Sequence, residues 1–412
     1  MRQMLVFLFL TLACTAGAVA PASAQLTRHA QDLASFEATL DEAFEKSPDF
    51  VGLGVAVVRD GRAEFMKTWG VREAGGREPV TPDTVFRLAS VSKGFAATLA
   101  AMEIADGRFS LTDKVSASVP QFRLPSRKET DAVTVEHILS HRVGLPPFAY
   151  DNLLEAGTAP LEILNRYKSV RLVCPVGSCY TYQNASFDMI GTVIEKATGE
   201  SFAQRLKERI FDPLGMKSAS VGLSGLRATG NWARPHILKD GAWVPTPVKD
   251  AYYHVPAAAG VNASLSDLAV WLGAQTGERP DVVPEPVLET LRAPRIKTPA
   301  ETRRQAALHM PVSDTGYGLG WRVMTYGGTR VIAHSGSVEG YLIQIAYIPE
   351  RKSGIAILSN TRGARAAKIL PTWLDMELGQ PQQDWLRLAD LEAAPSNNLS
   401  TPLIFTNQSA GQ

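Results

Sequence analysis

The sequence predicts an α+β fold: an antiparallel sheet built from both chain ends, flanked by helices, with a large mostly helical insertion. Three observations predict it. A hairpin pattern stands near the start of the chain and strand-length apolar segments return near its end. Residues 110–305 between them read as helices joined by Pro/Gly loops.

The elements follow in order. Arg2, the apolar run Met4 to Ala13 and the small residues Ala22-Ser23-Ala24 have the layout of a cleaved export signal, residues 1–24, leaving Gln25 as the mature N-terminus. Cys14 lacks the leucine three positions earlier that lipid attachment would favour; Thr11 stands there. Residues 25–109 form the first part of the α/β unit. Leu33, Phe36, Leu40 and Phe44 recur at helical spacing over 32–46. Val51 to Val58 and Ala63 to Trp69 flank Asp60-Gly61, a hairpin signal. Ser90 then opens an alanine-rich helical run, 94–104.

Within 110–305 the clearest helices are 185–197, with Gly199 as its C-cap, and 266–274. Residues 306–379 complete the α/β unit with strands over 317–324, 330–334, 341–348 and 354–358 and a closing helix over 362–378. The polar segment 380–412 reads as loosely ordered.

Composition narrows the function. The 412 residues exceed one ordinary core, and 45% hydrophobic with 20% charged residues describe a soluble globular chain. A net charge of +1 points to no nucleic acid or anionic surface, and no later apolar run approaches a membrane span. Oligomeric state is not legible. After cleavage only Cys174 and Cys179 remain, and export makes a disulfide between them possible.

Ser90 and Lys93 form the only Ser-x-x-Lys in the chain. Residues three apart stack on a helix, so the spacing sets an amine over a hydroxyl, and a serine hydroxyl needs a nearby base to act as a nucleophile. Acyl transfer also needs a proton carrier near the leaving atom. Tyr182 and Asn184 supply a phenol and an amide, between a Pro175-to-Gly177 loop and the start of helix 185–197. Tyr150-Asp151-Asn152 repeats the pattern in a loop after two prolines and is set aside as a decoy. His334-Ser335-Gly336, at the end of a strand taken as an edge, can line a groove where the glycine admits a substrate backbone. Lys352-Ser353-Gly354 repeats it at an apparent hairpin tip and is also set aside.

In this order the three elements resemble the class C β-lactamase and penicillin-binding DD-peptidase superfamily of serine hydrolases. Thr84 to Ser90, Leu139 to Pro146 and Tyr317 to Trp321 add to the likeness, which spans about residues 50 to 362. The resemblance implies Ser90 as acylated nucleophile and Lys93 with Tyr182 as general base and acid. It implies Asn184, His334, Ser335, Gly336 and Ser337 as substrate-binding residues, with an oxyanion hole from the Ser90 and Ser337 backbone N–H groups. It implies no metal and no cofactor, and a small-molecule or peptide substrate of the β-lactam or D-Ala-D-Ala type. Its departures are His334 where a lysine is common, Gln183 where serine or alanine is common, and Val143 in place of a serine. A carboxylesterase of the same superfamily is the runner-up, and a non-catalytic cell-wall-ligand-binding module is the reading from another class.

Weaker signals read structurally. His137 and His141 are four apart, a spacing that can share a helix face, but no third metal ligand accompanies them. Arg322 and Arg365 are candidate carboxylate holders whose plainer reading is surface charge. Trp243, Tyr252 and Tyr253 read as packing residues.

Overall fold

A computed structural model describes residues 22–393. Arg2, the apolar run and Cys14 lie outside the described residues, whereas Ala22 to Ala24 open helix α1 (Ala22–Lys46), which starts ten residues before the apolar periodicity. Strands β1 (Gly52–Arg59) and β2 (Arg62–Gly70) follow, joined at Asp60 and Gly61. Both turn residues have positive φ, 47° and 72°, as a two-residue hairpin turn requires. After β3 (Val85–Arg87) comes helix α2 (Ser92–Ala105).

The middle of the chain holds the expected helices, at Ala185–Thr198 and Leu265–Gln275, the first ending on Gly199 at φ 78°. It also holds strands that periodicity missed: β4 (Ser220–Val221), β5 (His236–Lys239), β6 (Ala242–Pro245), β7 (Val261–Ser264) and β8 (Ile296–Lys297). Two to four residues are too few to display a period of two.

The last strands are β9 (Val312–Tyr317), β10 (Arg322–Tyr326), β11 (Thr329–Val338), β12 (Tyr341–Ile348) and β13 (Ser353–Ser359). The single strand expected over 317–324 is therefore two. Gly318 N–H bonds the Trp321 carbonyl at 2.8 Å, and Gly320 turns the chain at φ 71°.

The main sheet runs β2-β1-β13-β12-β11-β10-β9-β8, all antiparallel. Both chain ends meet in it, with Val55 opposite Ile357. Because strand side chains alternate between faces, Val55 and Val57 join one core with Phe36, Leu40 and Trp373, while Ala56 and Val58 join the other with Phe95 and Trp271. That second core holds α2, every residue of which from Ser92 to Glu103 is buried. Gly94 is what lets it lie so close, since a Cβ there would stand 2.5 Å from the Trp321 ring.

Helix Ile369–Leu378 closes the sheet's first face. The loose order expected after Gly379 needs correction for residues 380–393. Trp385 and Leu386 are buried in that core, with Trp385 Nε1 donating to Asp375 at 2.6 Å. Two apolar side chains in a polar stretch suffice to dock it. Residues 394–412 lie outside the described residues.

Candidate active site

Ser90 sits in the tight turn Ala89–Val91 between β3 and α2, two residues ahead of the helix expected to begin with it. Ala89 is at φ 47°, a conformation costly for a residue with a Cβ, and it precedes the serine directly. Lys93, one turn further on, is wholly buried. Its Nζ lies 3.4 Å from Ser90 Oγ, 2.7 Å from Asn184 Oδ1 and 3.0 Å from the Ala258 carbonyl, with the Tyr182 ring 4.7 Å away.

The chemistry of those partners decides what the amine can do. Asn184 Oδ1 and the Ala258 carbonyl can only accept, so Lys93 gives each a hydrogen in either protonation state. As an ammonium its third hydrogen points to Ser90 Oγ. As a neutral amine its lone pair points there instead. Proton transfer between Ser90 and Lys93 therefore needs no rearrangement of the other two bonds. Asp188 supports one arm: Oδ1 accepts from Ala257 N at 2.8 Å and Ala258 N at 3.4 Å, fixing the helix Pro256–Ala259 that presents the carbonyl. Burial pushes Asp188 up to about 7, against those backbone donors.

Tyr182 is held from below and beside. Thr181 N–H donates to the His141 carbonyl at 2.8 Å, Gln183 N–H to His141 Nδ1 at 3.2 Å, and the rings of His141 and Tyr182 lie 4.3 Å apart. Burial, then the charges of Lys93 and Arg322, hold His141 well below its ordinary value, so the ring is neutral. The Tyr182 phenol is buried with no hydrogen-bond partner among the described residues. Cys174 and Cys179 are disulfide-bonded, and their loop is sewn to the His141 segment through Val173 N to Gly144 O, 2.8 Å, and Gly177 N to Arg142 O, 2.7 Å.

His334, Ser335, Gly336 and Ser337 all lie on β11, which is an interior strand and not the edge expected. Its pairing with β10 nonetheless stops at Ala333, while pairing with β12 continues to Val338. The unpaired side passes the serine turn so closely that a Cβ on Gly336 would stand 2.0 Å from the Leu88 carbonyl. What Gly336 admits here is the protein's own serine turn, whereas the sequence suggested room for a substrate backbone.

His334 is not a cation. Burial, then Arg322 and Lys93, hold it well below the ordinary imidazole range. Nδ1 donates to the Ser335 carbonyl at 2.9 Å, which leaves Nε2 to accept from Tyr317 Oη at 3.1 Å. Its ring centre is 6.5 Å from that of Tyr182. Ser337 Oγ is buried with no hydrogen-bond partner among the described residues.

Arg322 is buried beside the site, 5.9 Å from the Tyr182 ring and paired with Glu301 at 3.2 Å, so the surface-charge reading fails for it. Arg365 is buried too, but it binds Asp49 and the Leu386 carbonyl as a structural residue. Lys352 stands on an exposed hairpin tip paired with Glu278, and Tyr150 stacks on Tyr167. His141 lies beyond the end of helix Val135–Leu139, so it shares no helix face with His137. Trp243 donates to Pro48 O and Tyr253 to Asn262, both as packing residues. Sequence reasoning missed Asp188 and the platform under Tyr182 that His141 makes, because each acts through contacts distant in sequence.

A serine–lysine pair at the head of a buried central helix, on an antiparallel sheet closed by both chain ends, defines the class of penicillin-binding and β-lactamase folds. The chain belongs to the β-lactamase family, whose model matches residues 40–377. It is similar to the unguisins hydrolase ungD' of Aspergillus campestris (strain IBT 28561), 29% identical over 325 residues, 75% of this chain; the chain spans only 58% of that relative's length. It is similar to esterase EstB of Burkholderia gladioli, 26% identical over 382 residues, covering 83% of this chain and 94% of the esterase. Among solved structures it is similar to the octameric penicillin-binding protein homologue from Pyrococcus abyssi: TM-score 0.73, 27% identity, 85% of this chain and 78% of that one.

Proposed function

We propose that this protein is an exported, metal-independent serine hydrolase that forms an acyl-enzyme on Ser90 and cleaves amide bonds of the β-lactam or D-Ala-D-Ala type. One observation carries the reading: Lys93 Nζ is 3.4 Å from Ser90 Oγ while two obligate acceptors fix its other hydrogens. In this reading Ser90 Oγ attacks the carbonyl carbon as Lys93 takes its proton. Tyr182, stacked over the same amine, carries a proton to the leaving nitrogen. The backbone N–H groups of Ser90 and Ser337 receive the oxyanion, and Asn184, His334, Ser335 and Gly336 line the substrate. Water then releases the acyl group by the reverse relay. Among the described residues no helix is long and apolar enough to cross a membrane, and the Cys174–Cys179 disulfide is consistent with export.

A second reading, ester cleavage by the same acyl-enzyme, is favoured by two observations. His334 is neutral, so it offers no charge to a substrate carboxylate, and EstB is an esterase of similar sequence along nearly its whole length. One panel on one purified sample separates the readings: a chromogenic cephalosporin, a D-Ala-D-Ala peptide and a short-chain nitrophenyl ester, each against wild type and Ser90→Ala. Turnover of either amide, lost in Ser90→Ala, is the expected result. Turnover of the ester alone moves the assignment to esterase, and turnover undiminished in Ser90→Ala overturns both.

A further inference from the structure

We infer that Asp151 is a positioning residue for this site: through one hydrogen bond it sets which way the Asn184 amide points, and so what faces Lys93. This rests on the reading of Ser90 and Lys93 given under Proposed function.

Asp151 belongs to the segment that sequence reasoning set aside as a decoy. The segment is nevertheless laced to the Tyr182 motif along its length. Phe148 N–H donates to the Tyr182 carbonyl at 2.9 Å, Gln183 Nε2 donates to the Pro146 carbonyl, and Asn184 Nδ2 donates to Asp151 Oδ2 at 2.6 Å. Asp151 is buried, as is Asn184. Tyr150 anchors the segment by stacking on the buried Tyr167, ring centres 6.0 Å apart.

A primary amide has a donor end and an acceptor end of nearly equal shape, so packing alone barely distinguishes its two orientations. Here the carboxylate does. It can only accept, so it takes the NH2 end and leaves Oδ1 directed at Lys93 Nζ, 2.7 Å away. The flipped amide would set its oxygen against the carboxylate and its NH2 against the amine. Lys93 would then lose one of the two acceptors that keep its third position directed at Ser90.

The test is a set of variants assayed for kcat/KM on the best substrate of the panel. Asp151→Ala removes the acceptor and is expected to lower kcat/KM by about 10- to 100-fold, the range for a hydrogen bond to a charged group. Asp151→Asn keeps an oxygen that can accept from Asn184 and should recover to within a few-fold of wild type. In an Asn184→Ala background Asp151→Ala should bring no further loss, because there is no amide left to orient. Circular dichroism of each variant checks the fold, and Asp151→Asn carries the test if the alanine variant does not fold. Wild-type activity in Asp151→Ala, a loss that adds fully to that of Asn184→Ala, or an Asp151→Asn as impaired as Asp151→Ala overturns the inference alone. A wild type never acylated at Ser90 overturns the functional reading and this inference with it.

Discussion

At Lys93 the amine meets Ser90 on one side and two fixed acceptors on the others, with the Tyr182 ring lying against it. The phenol of Tyr182 bonds to nothing among the described residues, so its hydroxyl is dispensable for packing and available for chemistry. Tyr182→Phe should therefore fold as wild type and keep its KM, while kcat falls by about 10²- to 10⁴-fold. Steady-state kinetics checks this, and a kcat within a few-fold of wild type contradicts it. Ser90, Lys93, Tyr182 and Asn184 could be picked out as candidates because each motif is short and carries its own chemistry, and the fold brings them together. Asp151 was not. Its neighbour Tyr150 made the segment look like a failed copy of the motif, and only the folded chain puts the Asp151 carboxylate on Asn184.

At the scale of elements, β12 emerges with the bounds read from sequence, because turn residues close it on both sides. The strand expected over 317–324 failed at its glycines, which mark a turn and not a weak spot in a strand. β11 was legible as a strand, but its place inside the sheet follows from pairing across the chain. Its approach to the serine turn is tight enough to predict from. In Gly336→Ala the new Cβ would meet the Leu88 carbonyl at 2.0 Å, so strand and turn must separate. Overpacking of this kind costs about 1–3 kcal/mol of stability. A shift of about 1 Å at the reacting atoms costs about 100-fold in kcat/KM. Denaturant titration and kinetics on the same variant measure both, and unchanged kcat/KM contradicts the placement of β11 against Ser90.

For the whole molecule, the sheet is closed by strands from opposite chain ends, and the site lies where the helical part meets its second face. That layout was legible from the order of patterns alone. The docking of Trp385 was not, since a single aromatic in a polar run has no periodicity to betray it. Burying polar groups around Lys93 leaves a mark on stability. Asp188, raised to about 7 by burial, has an unfolded value of about 3.9. A carboxyl raised on folding stabilises fully below its unfolded value and loses that contribution as pH rises through the folded value. Asp188→Asn keeps an acceptor for Ala257 and Ala258 without the titration. Its unfolding free energy relative to wild type should therefore increase between pH 4 and pH 8. Urea titrations across that range check the sign, and a difference independent of pH contradicts it.

The covalent intermediate proposed on Ser90, in its strained turn, is open to direct measurement. Wild type and Ser90→Ala are mixed with the panel substrate that turns over fastest, quenched in acid, and analysed by intact mass and peptide mapping. One added acyl group is expected on the peptide that contains Ser90, absent from the variant. An adduct on another residue, or one that persists in Ser90→Ala, contradicts it.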